Sequence, residues 1–100
     1  MSTKSRPQPY VIVRTYSAGV HFGILKSRDG KEVVLTQTRR IWYWRGAASL
    51  SEMALSGVKH PDECKFSVTL PVIILTEAIE IIPCHPDAVK NIQAVPEWKA

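Results

Sequence analysis

The sequence predicts a mainly β (α+β) fold: one small, curled antiparallel barrel. Three observations predict it. Residues 10–45 hold four β-branched or aromatic runs separated by short turn signals. Gly23 stands mid-run in the second, where a strand glycine marks a bulge or a close approach of backbone. A connected meander of strongly twisting strands curls rather than lying flat.

The elements follow in order. YVIVRT (10–15) is β-branched and aromatic and forms the first strand, broken by Ser17-Ala18-Gly19. VHFGILK (20–26) alternates Val20, Phe22 and Ile24 against His21, Gly23 and Leu25, a second strand. Asp29-Gly30 is a hairpin signal, because glycine supplies positive φ, and KEVVLT (31–36) returns as the third strand. Gln37-Thr38 is expected to be a short turn, with Arg40–Arg45 as the fourth strand.

Gly46 then ends the β-rich half. Ser49 and Glu52 fit a capping box, Leu50, Met53 and Ala54 follow helical spacing, and Gly57 suits the C-terminal cap. These place one short helix at about 49–56. CKFSVTL (64–70) alternates Cys64, Phe66, Val68 and Leu70 against Lys65, Ser67 and Thr69, a half-buried strand that Pro71 interrupts. VIILTEAIEII (72–82) fits either a helix capped by Thr76 or a strand over 79–83. Its isoleucines, and the stop at Pro83, favour the strand. Pro86 at the first helical position starts a second short helix, about 86–93. Residues 1–9 are expected to be a flexible arm, 10–94 the single β-barrel domain, and 95–100 a tail.

Bulk composition narrows the setting. With 45% hydrophobic and 22% charged residues the chain is ordinary globular material. The apolar run Val72–Leu75 is far short of the roughly 18 residues a membrane span needs. MSTKSRPQP lacks the apolar centre of a signal peptide, so a cytoplasmic protein is expected, with no membrane partner. Cys64 and Cys84 would there be reduced thiols. A domain this short builds a modest core, which a homo-oligomer would enlarge, and a homo-oligomer is expected.

Charge is lopsided. Residues 1–46 carry nine Lys/Arg and two Asp/Glu, a net +7, whereas 47–100 carry four and seven, a net −3. That distribution suggests a basic face for an anionic partner, with solvation of strand edges as the competing explanation.

Several chemistries are excluded or disfavoured. The five glycines match neither a phosphate loop nor a dinucleotide fingerprint. His60, Cys64, Cys84 and His85 could gather as zinc ligands, but adjacent Cys84-His85 departs from the usual cysteine clip, and no metal site is expected. On a strand, Cys84 and His85 point to opposite faces, a poor arrangement for a Cys–His nucleophile. Glu77 and Glu80 flank apolar residues and are expected in solvent. No catalytic residue and no cofactor is assigned, and the protein is expected to be non-enzymatic.

What stands out is RRIWYWRGA (39–47), with three Arg and three large aromatics in nine positions. Alternation sends Arg39, Ile41, Tyr43 and Arg45 one way, and Arg40, Trp42 and Trp44 the other. Ile41 and Tyr43 suit a barrel interior. Trp42 and Trp44 then lie outside and need a cover: the following helix, a second subunit, or a ligand base. A base can stack on an aromatic while Arg holds its phosphate. Arg14, Tyr16, Arg39, Arg40, Trp42, Trp44 and Arg45 are candidate ligand-binding residues on that reasoning. His21 joins them as a donor in a groove kept open by Gly23, although a histidine bonded to a backbone carbonyl is the commoner arrangement.

The layout GVHFGIL, DGKEVVL, RRIWYW and AIEII is similar to small SH3-like and Sm-like barrels. The motifs HFG, RRIWYW-x-GA and LTEAIEIIP, across residues 10–83, resemble an uncharacterised family of small phage and prophage accessory proteins. The resemblance implies an accessory phage protein in a bacterial cytoplasm and carries no site residues. Together these readings predict a protein that binds a small anionic ligand, foremost a nucleotide, with sequestration of host defence signalling nucleotides as one use. A nucleic-acid-binding barrel and a host-protein interaction module are the alternatives.

Overall fold

The computed structural model describes residues 9–99. The arm expected over 1–9 therefore lies outside the described residues, apart from Pro9, whose carbonyl accepts a hydrogen bond from the Leu25 amide at 2.9 Å.

The elements run β1 (Tyr10–Thr15), β2 (Val20–Asp29), β3 (Glu32–Tyr43), α1 (Leu50–Ser56), a 3-10 turn (Pro61–Glu63), β4 (Lys65–Phe66), β5 (Leu70–Leu75), β6 (Ala78–Pro83) and α2 (Pro86–Gln93). All six strands join one antiparallel sheet in the order β4-β3-β2-β1-β6, with β5 on β3 beside β4. The mainly β prediction with two short helices holds. The sheet is curled but open: among the described residues no ladder joins β5 or β4 to β6. The closed barrel is thus not formed, although β5 runs straight into β6 through Thr76-Glu77, and the Ala78 amide bonds Lys31 O at 3.0 Å.

Curling gives β1 two buried faces. Val11 and Val13 pack inside the curl with Val33, Leu35 and Leu75, while Ile12 faces the helical layer. There it meets Phe22, Ile41, Phe66, Met53 of α1 and Ile92 of α2. Ser49 caps α1 by accepting from the Glu52 amide at 3.2 Å. The Glu52 carboxylate reaches back to the Ala48 amide, one residue earlier than a standard capping box. Asn91 ties the helices together, accepting from Val58 N (2.8 Å) and donating to Val58 O (3.0 Å).

Three expectations need correction. Gln37-Thr38 is not a turn between strands: Gln37 adopts φ of 49°, forming a bulge inside one continuous β3. The run from Cys64 forms only the two-residue β4. At Ser67 the chain exchanges bonds with Arg40 (Ser67 N to Arg40 O, 2.8 Å; Arg40 N to Ser67 Oγ, 2.7 Å) and leaves the ladder. Pro71 then lies within β5, which is tolerated because β5 is an edge. Finally, the segment expected as a tail is partly built in. Val95 is buried, Glu97 bridges Phe66, and the Trp98 amide bonds Phe66 O at 2.9 Å.

Candidate ligand-binding site

The β3 bulge decides which side chains share a face. Before it, Val33 and Leu35 point inside the curl. Ile24 pairs with Thr36 and Phe22 with Arg39, so Gly23 opposes both Gln37 and Thr38. One extra residue inverts the alternation that follows. Thr38, Arg40 and Trp42 now share the side of His21, and Arg39 turns toward the helices.

A hollow of about 190 Å³ opens on that side. His21 and Thr38 form its floor, Trp42 and the apolar Val68, Leu70 and Ile73 its walls, and Arg40 and Ser67 its rim. His21 is 0% and Thr38 1% exposed, whereas Trp42 is 53% exposed. His21 Nε2 lies 2.9 Å from Ala18 O. A carbonyl only accepts, so Nε2 carries the proton and Nδ1 keeps a lone pair. That Nδ1 and the Thr38 Oγ1 are buried without hydrogen-bond partners among the described residues. Each such atom costs about 1–3 kcal/mol. Burial lowers the His21 pKa, partly offset by the Ala18 bond, and the nearby Arg40 charge lowers it further. The ring is consequently neutral at neutral pH.

Three of the eight candidate residues thus meet here: His21, Arg40 and Trp42. The other five are elsewhere. Arg39 is 4% exposed, against the expectation of a ligand contact. Its guanidinium donates to Ser67 O (2.8 Å), Ile92 O (2.9 Å) and Val95 O (2.7 Å) and lies over the Phe66 ring. Burial pulls its pKa down, with Glu97 pulling the other way. Arg14 pairs with Glu80 at 3.1 Å, and Arg45 with Glu63 at 3.0 Å. Tyr16 is exposed in a separate depression with Lys31, Glu77 and Ile79.

Trp44 leaves the side of Trp42 but takes one of the covers expected for it, the helical layer. Ile41 pairs with Phe66 and Tyr43 with Lys65, so Trp42 sits in a second irregularity and alternation lapses beyond it. Tyr43, expected inside, is exposed, and Trp44 packs on the helical core while its Nε1 donates to Ala47 O at 3.2 Å. Trp42 is instead met by Trp98, edge to face at 5.7 Å, and Lys65 lies over Trp98. Sequence reasoning missed Thr38 and the walls contributed by β5. The alternation around Gly23 was the only local signal for the bulge that brings Thr38 in.

The cysteines lie apart from this hollow. Cys64 is buried among apolar side chains, and desolvation raises its pKa. Burial pushes Cys84 up to about 11. Neither thiol ionises appreciably at neutral pH. His85 caps α2, accepting at Nδ1 from the Asp87 amide at 3.2 Å. Among the described residues no helix is long and apolar enough to cross a membrane.

No curated protein and no solved structure matches this chain. A family model described as a domain of unknown function (DUF6948) matches residues 8–92, from just before β1 to the last turn of α2 and so including every residue of the hollow. The chain belongs to the DUF6948 family.

Proposed function

We propose that the protein binds a small anionic ligand, a nucleotide, in the hollow between β2, β3 and β5, without catalysing a reaction on it. One observation carries this reading: an exposed indole and Arg40, whose guanidinium has no partner among the described residues, border a hollow with apolar walls. Trp42 offers a stacking surface, Arg40 a phosphate partner, and the apolar walls a dry enclosure for a base. The phage origin suggested by the sequence motifs would make sequestration of a host signalling nucleotide the use. The open curled sheet is, in this reading, an unclosed variant of the small SH3-like barrel.

Calorimetry against mono-, di- and cyclic nucleotides tests it. Binding that Trp42→Ala and Arg40→Ala each weaken about ten-fold supports the reading, since each removes one exposed contact worth about 1–2 kcal/mol. Absence of heat from every nucleotide removes it.

A further inference from the structure

The aromatic surface does not end at the wall of the hollow. Past α2 the chain runs alongside β4: Glu97 bridges Phe66 in parallel, and the Trp98 amide donates to Phe66 O at 2.9 Å. Arg39 anchors the same segment through Val95 O at 2.7 Å. Trp98 is thereby held against Trp42, edge to face, with ring centroids 5.7 Å apart. Both indoles remain open to solvent, Trp42 at 53% and Trp98 at 43% exposure. Two exposed indoles in contact form a patch rather than scattered apolar residues.

Charge follows the same path. Arg40 stands on the rim of the hollow, and Lys65 lies 5.0 Å over the Trp98 ring. Neither makes an ion pair among the described residues. The acids nearest in sequence are engaged elsewhere: Glu63 pairs with Arg45, and Glu97 bears on Arg39. One indole and one cation thus border the hollow, and a second indole and a second cation lie beyond it. At about 190 Å³ the hollow is below the usual ~300–1,000 Å³ of sites enclosing a drug-sized ligand, which matches one base rather than the whole of a ligand. An acidic peptide would answer the cations and leave both indoles bare, whereas a base has a face for each indole and a phosphate for each cation.

We infer that the ligand is a dinucleotide: one base enters the hollow against Trp42 with its phosphate on Arg40, and the linked second nucleotide lies over Trp98 with its phosphate on Lys65. This inference rests on the nucleotide reading above and names the ligand class of that same site.

Calorimetry on the full chain compares thymidine 5′-monophosphate, the 5′-phosphorylated thymidine dinucleotide, a thymidine octanucleotide and pyrophosphate. Thymidine serves because stacking tolerates any base. The dinucleotide is expected to bind roughly ten-fold or more tightly than the monophosphate, because a tethered second base stacks without a second bimolecular cost. Trp98→Ala should remove that gain and leave the monophosphate unchanged. Lys65→Gln, an exposed change that removes the charge, should weaken the dinucleotide about five-fold and also leave the monophosphate unchanged. Equal binding of monophosphate and dinucleotide overturns the second position and leaves the nucleotide reading standing. Equal weakening of both by Trp98→Ala also overturns it, and makes Trp98 a support for Trp42. Pyrophosphate binding as tightly as the dinucleotide overturns the base contacts and leaves an anion surface. An octanucleotide that binds more tightly than its number of registers accounts for overturns the free dinucleotide in favour of single-stranded nucleic acid. No heat from any of the four overturns this inference and the nucleotide reading together.

Discussion

A β-carbon built on Gly23 would lie 3.1 Å from both the Cα and the Cβ of Thr38, so β2 and β3 meet there backbone to backbone. It would also approach Thr36 O at 3.0 Å. Two of these neighbours are main-chain atoms of a paired strand and the third is fixed directly to it, so they have little room to yield. Gly23→Ala is therefore expected to destabilise the fold by about 1–3 kcal/mol, in the manner of an overpacked core. It should also disturb the floor, since Thr38 is the residue displaced. Urea denaturation reads the first effect and ligand titration the second. Gly30 is the control: nothing lies within 4 Å of its added β-carbon, and its φ of +60° suits asparagine, so Gly30→Asn should cost far less.

Arg39 and Arg40 are neighbours with opposite duties. Arg39 donates to three carbonyls, one in the last turn of α2 and one two residues beyond it, from a buried position. Arg39→Ala should cost about 3–5 kcal/mol, as expected when buried charge-assisted bonds are broken and their acceptors stranded. Arg40→Ala removes an exposed side chain and should change stability by no more than about 0.5 kcal/mol while weakening the ligand. Paired denaturation and binding curves check both. A large stability loss from Arg40→Ala would contradict its placement on the rim.

His21 makes stability depend on pH in a stated direction. Its folded-state pKa is lowered by burial, with Arg40 of β3 adding to the effect and the Ala18 carbonyl opposing it. The unfolded chain therefore binds a proton near the ordinary pKa of 6.5, while the folded chain does not. Stability is fully present above 6.5 and falls as pH drops from there toward the lower folded value. Melting temperatures measured between pH 7.5 and 5 should decline on the acid side. A His21→Gln variant that folds should show a shallower decline over that interval. Equal slopes would place the titrating group elsewhere.

Local pattern made most of the fold legible. β-branched runs, the Asp29-Gly30 turn, the Ser49 cap and Pro86 each act within a few residues, and each is found where its chemistry puts it. What alternation could not supply was the identity of the face. Gln37 carries no glycine-like signature, yet it takes the left-handed conformation and inverts the side chains that follow it, as far as the second irregularity at Trp42. Arg39 and Arg40 could be separated by parity, but which one met the helices depended on α2, more than fifty residues away. Trp98 on Trp42 is a contact of the same long-range kind.

The expected homo-oligomer has a specific strand available to it. Among the described residues β5 pairs only with β3, leaving its other side open. LPVIIL is uncharged, and Leu70, Val72 and Ile74 are exposed. Edge strands usually carry charges or bulges that prevent pairing, and β5 has only Pro71 near its start. Antiparallel pairing of two β5 edges about a two-fold axis would bring no like charges together and would make a closed dimer. The opposite edge, β6, carries Glu80 and ends in Pro83, which oppose such pairing. Sedimentation at increasing concentration should show a monomer–dimer equilibrium, and Ile74→Lys should shift it to monomer. Glu80→Lys, on the other edge, should leave the equilibrium unchanged. A monomer at every concentration, or a dimer indifferent to Ile74→Lys, would remove β5 as the interface.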